Sequence, residues 1–146
     1  MNLEYAFNLI GTLRSPIDFG AGPFGTRRLY EVTGGAIEGK GLRGKVLTGG
    51  GDWLLVGPDG FARLDVRVQL LTDDGAWIYV YYTGLLELNK YVVGVDATTD
   101  YGDQYFRTTP RFETGDPRYA WLNQTLFVAE GRIAPGSVEY RIYRIM

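Results

Sequence analysis

Hydrophobic and polar positions alternate along most of this chain, and the alternation has a period of two. Over residues 3–13, Leu3, Tyr5, Phe7 and Leu9 alternate with Glu4, Ala6 and Asn8, the pattern of a strand with one face covered. Residues 62–71 and 77–86 alternate most clearly and predict two further strands. Residues 27–33 and 52–56 predict two more, and residues 36–47 predict one or two short strands after a break at Gly34-Gly35. Residues 104–109 read as extended, and residues 125–132 and 138–145 as a closing hairpin. Residues 15–25, with Pro16, Gly20, Gly22, Pro23 and Gly25, read as a loop. Residues 88–95 fit a helical turn and a strand equally well. At 116–121, Asp116 and Pro117 stand as a cap and first position for one helical turn.

Turn chemistry joins these strands. Gly57-Pro58-Asp59-Gly60, Thr72-Asp73-Asp74-Gly75 and Ala134-Pro135-Gly136 each end in glycine, as three-residue hairpin loops with a bulge do. The count predicts an all-β domain over residues 1–146: a single antiparallel β-barrel of roughly eight or more strands, with one or two short helical turns. About eight strands enclose a lumen that holds one small ligand.

The turns also set a register. With Asp73-Asp74-Gly75 as the loop, Asp65 lies opposite Thr83, Arg67 opposite Tyr81 and Gln69 opposite Tyr79. The other face then pairs Leu70 with Ile78, Val68 with Val80 and Val66 with Tyr82. With Pro58-Asp59-Gly60 as the preceding loop, Trp53 falls opposite Asp65 and Gly51 opposite Arg67. One face is dry and the other is polar and aromatic, and such a separation resists a one-residue slip. The polar face reads as solvated wall, as pocket lining or as a subunit seam. Aromatic rings with a few fixed polar groups favour the pocket.

Composition narrows the chemistry. The chain has no His and no Cys, which removes Ser-His-Asp and Cys-His devices, imidazole and thiolate metal sites, and a disulfide framework. No metal and no organic cofactor is expected. A net charge of −2 with scattered basic residues argues against nucleic acid and anionic membranes. Neither a signal peptide nor a membrane span is read from the N-terminus, so a cytoplasmic location is expected. Gly49-Gly50-Gly51 lacks the context of a phosphate loop, and Asp73-Asp74, Asp96 and Asp100 to Asp103 match no calcium loop.

Three stretches resemble a known family: Gly49 to Trp53, Ala62 to Arg67, and Tyr105 to Asp116 with Trp121-Leu122-Asn123. They are similar to a mostly bacterial family of unknown function associated with allene-oxide-cyclase-like, calycin-like β-barrels. The resemblance spans nearly the whole chain and fits less well over residues 85–103. It implies a barrel, and at the level of fold it brings to mind cyclases that shape a reactive substrate without a cofactor.

The resulting expectation is a cofactor-independent isomerase, cyclase or lyase acting on a small, partly hydrophobic metabolite inside the barrel. Asp65 is the expected base, beside Trp53. Tyr81 and Arg67 serve a developing oxyanion, with Arg107 adding charge. Thr83 and Thr108 orient the ligand, and Trp53, Tyr79, Phe112 and Trp121 wall it. The alternatives are a non-catalytic small-molecule binding protein and a structural subunit whose aromatic face is the seam of a homo-oligomer.

Overall fold

The computed structural model describes residues 1–88 and 98–146. The helix-or-strand reading of 88–95 and the residue Asp96 fall, but for Leu88, outside them. Eleven strands are present among the described residues: β1 (Leu3–Leu13), β2 (Ile17–Gly22), β3 (Gly25–Gly39), β4 (Leu42–Val46), β5 (Gly50–Val56), β6 (Phe61–Thr72), β7 (Trp77–Glu87), β8 (Phe106–Thr108), β9 (Arg111–Glu113), β10 (Phe127–Ala134) and β11 (Ser137–Ile145). Every pairing is antiparallel. Eight strands form a closed barrel in the order β1, β3, β5, β6, β7, β8, β10, β11, and β11 returns to β1. β4 bridges β3 and β6, β9 extends the edge of β7, and β2 adds to β3.

The hairpin registers follow from the turns. Gly60, Gly75 and Gly136 all have positive φ, which a glycine adopts without steric cost. Asp65 pairs with Thr83, Arg67 with Tyr81 and Gln69 with Tyr79. Asp52 pairs with Val66 and Gly51 with Arg67. The alternation of β6 and β7 then decides which side is the lumen. Leu64, Val66, Val68 and Leu70 are buried, as are Ile78, Val80 and Tyr82.

Three readings differ from the sequence expectation. β2 occupies part of the stretch read as a loop. Every residue of it is exposed, so no buried face imposes an alternation. β3 runs straight through Gly34-Gly35, because Gly35 takes a positive φ where a Cβ would collide with the Ile10 carbonyl. In β1, pairing with β11 shifts between Tyr5 and Phe7. That extra residue turns Leu3 and Tyr5 outward while Phe7 and Leu9 point inward. A 3-10 helical segment, Pro117–Gln124, starts where the cap predicts, with Asp116 accepting the Arg118 N–H at 2.9 Å.

The lumen is filled unevenly. Around Phe7, Phe112 and Phe127 the rings meet at 5.0–5.9 Å and the core is solid. Beyond Leu9 and Val66 the packing loosens into a cavity.

Candidate functional site

The cavity has a volume of about 80 Å³, several times the ~10–15 Å³ that admits one water. Its wall is mostly apolar, from residues such as Leu54, Leu64, Val68 and Phe106. Set into that wall are one carboxyl, Asp52, and three phenols, Tyr30, Tyr82 and Tyr140. Asp52 and Tyr82 come from one cross-strand row, since Asp52 pairs with Val66 and Val66 with Tyr82. Tyr140 reaches the same space from β11, and its ring meets that of Tyr82 edge to face at 5.4 Å. Phe106 stands against Tyr140 in the same way, also at 5.4 Å.

The backbone around Asp52 is built for an inward carboxylate. The β5–β6 ladder pairs Asp52 with Val66 and Leu55 with Arg63, and has no pairing between them. The Asp65 N–H, freed from the ladder, donates to Asp52 Oδ1 at 3.0 Å. Asp52 Oδ2 shows no hydrogen bond among the described residues. It is not one of the buried atoms left without a partner, so it meets the accessible space of the cavity.

Electrostatics follow from this burial. Desolvation pushes the Asp52 carboxyl up to about 7; the Asp65 N–H bond and Arg27 oppose the rise, and the Asp65 charge adds to it. Burial likewise pushes the Tyr82 and Tyr140 phenols above their ordinary range, with the Asp52 charge acting on both. Tyr30 is raised for the same first reason. A carboxyl poised near neutrality beside neutral phenols can give or take a proton at physiological pH.

Most of the expected site lies on the outside of the barrel and not in the lumen. Trp53, Asp65, Arg67, Tyr79, Tyr81 and Thr83 do form the cross-strand patch, but it faces outward. Trp53 and Tyr79 are 39% and 44% exposed. Asp65 and Arg67 make an exposed ion pair at 3.4 Å, and the Arg67 guanidinium sits 4.7 Å above the Tyr81 ring. The physical reason is volume. An eight-stranded lumen has room for one face of each strand, and in β6 that face is Leu64, Val66 and Val68. Arg107 is exposed beside Tyr105, 5.4 Å from its ring. Thr108 is buried at a neighbouring position of β8, Phe112 belongs to the solid core, and Trp121 packs at its edge near Phe127. Thr83, Arg107 and Thr108 share one groove of the outer wall and Tyr79, Tyr81 and Phe112 another, and the full set does not meet in the lumen cavity.

Asp52, Tyr30, Tyr82 and Tyr140 were missed. A signal for two of them was present: the register that puts Val66 opposite Tyr82 also puts Asp52 opposite Val66, so a carboxylate stood on the dry face. Tyr140 needed the barrel closure, which no local pattern reveals.

Comparison with known proteins places the chain among small bacterial barrels. The family "Protein of unknown function (DUF3237)" matches residues 1–145. A UPF0311 protein of Clostridium acetobutylicum is 36% identical over 149 residues, covering 99% of this chain and 94% of its own. The crystal structure of a conserved protein of unknown function from Rhodopseudomonas palustris superposes with a TM-score of 0.90 at 32% identity, covering 100% of this chain and 99% of that one. A PR-toxin biosynthesis cluster protein of Penicillium roqueforti is 34% identical over 106 residues, 67% of this chain and 55% of its own. A structure described as an enzyme from Penicillium herquei shares the fold, with a TM-score of 0.75 at 23% identity over 99% of this chain and 94% of that one.

Proposed function

The chain belongs to the DUF3237 family, and on that premise we propose that it is a cofactor-independent acid–base catalyst, an isomerase, cyclase or lyase for a small, partly hydrophobic metabolite held in the lumen. The observation that carries this reading is Asp52: a carboxyl in an apolar cavity, pushed up to about 7 by desolvation, with one oxygen left for a ligand. Asp52 transfers the proton. Tyr82 and Tyr140, neutral because buried, hydrogen-bond each other, and the hydroxyl left free in that pair donates to developing negative charge on a ligand oxygen. The apolar wall excludes competing water. Two fungal proteins similar to this chain lend support to catalysis, one a toxin biosynthesis cluster protein and one an enzyme that shares the fold. The likeness to allene-oxide-cyclase-type barrels is part of the same proposal and rests on fold alone.

Solvent exchange tests it. Small enolisable ketones such as 2-butanone and cyclohexanone are incubated with the protein in deuterated buffer, and loss of α-proton signal is followed by NMR. The wild-type chain is expected to accelerate exchange. Asp52→Asn should lower the rate about 10²–10⁴-fold while binding persists. Ketones that bind the wild type without accelerated exchange would favour a binding protein instead.

A further inference from the structure

The charge census of the cavity wall goes one step further. Among the described residues Asp52 is the only charged one in the wall, and none of them that lines it is Lys or Arg. Two arginines act on residues of the wall, Arg27 on Asp52 and Arg28 on Tyr30, and each also holds a partner outside it. Arg27 donates to the Trp53 carbonyl at 2.8 Å. Arg28 is ion-paired with Asp18 at 3.2 Å.

From this we infer that the lumen selects uncharged ligands, binding a single hydroxyl or carbonyl oxygen between Asp52 Oδ2 and the Tyr82–Tyr140 pair; the inference rests on the lumen being the functional site. An anion would lose its hydration beside Asp52 with no cation among the described lining residues to replace it. An ammonium ion would meet a carboxylate, but it also needs open ring faces to be held in an aromatic setting. Tyr82, Tyr140 and Phe106 are instead packed edge to face on one another. A neutral oxygen faces neither obstacle. Asp52 Oδ2 accepts from a hydroxyl when ionised and donates to a carbonyl when protonated, and the one hydroxyl left free in the hydrogen-bonded Tyr82–Tyr140 pair donates in both cases.

Gly11 supplies a control within the same wall. It lines the cavity from β1, and an added Cβ would meet only Val138 Cγ1, at 3.7 Å, an ordinary contact. Larger side chains there occupy ligand space without backbone strain.

The test uses three probes of one shape and different charge: benzyl alcohol, benzoate and benzylammonium. Their binding to the full chain is measured at pH 7 by NMR titration, for wild type and for Gly11→Val. Benzyl alcohol is expected to bind at least tenfold more tightly than either charged probe, and Gly11→Val should weaken it at least tenfold. Benzoate or benzylammonium binding as tightly as the alcohol overturns the charge selection while leaving the lumen as the site. Failure of all three to bind, or alcohol binding that survives Gly11→Val, overturns the lumen site and the selection with it. Should Val lower the melting temperature, Gly11→Ala provides the same comparison with a single methyl group, and a several-fold weakening is then expected.

Discussion

Asp52 binds its proton more tightly in the folded chain than a solvated carboxyl does, since desolvation dominates its environment. The sign of the pH dependence follows. Between the ordinary carboxyl range near 4 and about 7, the native state holds a proton that the unfolded chain has released. Stability therefore falls as pH rises through that window. Asp52→Asn keeps an oxygen for the Asp65 N–H and removes the charge. The variant should be more stable than wild type at pH 8, by about 1–4 kcal/mol, and the two should converge near pH 4. Thermal melts at both pH values measure this. Asp65 behaves differently. Its side chain is 44% exposed in a surface ion pair, which is worth about 1 kcal/mol or less. Asp65→Asn should leave the melting temperature nearly unchanged. It should lower the Asp52 titration midpoint slightly, because the Asp65 charge helps to raise it.

At the scale of the strand, the site depends on an interrupted ladder. β5 and β6 unpair between Asp52 and Leu55, and the freed N–H of Asp65 turns to the carboxylate. Glycines set the spacing around it in two ways. At Gly131 in β10, a Cβ would sit 2.8 Å from the Phe106 ring, which is itself packed on Tyr140. Gly131→Ala should destabilise by about 1–3 kcal/mol, as overpacking does. Gly11→Ala, facing cavity space, should be neutral or stabilise by up to about 1 kcal/mol. Denaturant titration of the two variants side by side separates a structural glycine from one that makes room. The hairpin registers were legible in the sequence because glycine turns set them and a dry face pins them. β2 was not legible, since a strand exposed on all sides carries no pattern. Gly34-Gly35 looked like a break because glycine marks bends and ends as often as bulges, and only the pairing with Ile10 tells them apart.

For the whole molecule, closure decides what the sequence could not. The dry and polar faces of β6 and β7 were separable from residue pattern alone, but which face becomes the lumen depends on how eight strands curl. Aromatics such as Trp53 and Tyr79 suit a pocket lining by type, yet Val66 and Val68 take the inward positions. Tyr140 joins Tyr82 only because β11 returns to β1 and brings the C-terminal strand across the lumen. Closure also predicts that β11 is indispensable. It pairs with both β1 and β10 over its full length, so a chain ending before Ser137 should lose its cooperative melt, which circular dichroism would detect.

A desolvated carboxyl inside this barrel that exchanges protons near neutrality with a ligand beside it has a visible signature. In carbon-13 NMR of the Asp52 carboxyl, titrated with and without benzyl alcohol, the midpoint should lie near 7 and move when the alcohol is added. A midpoint near 4, unaffected by the alcohol, would make Asp52 an ordinary solvated carboxyl and remove it from proton transfer.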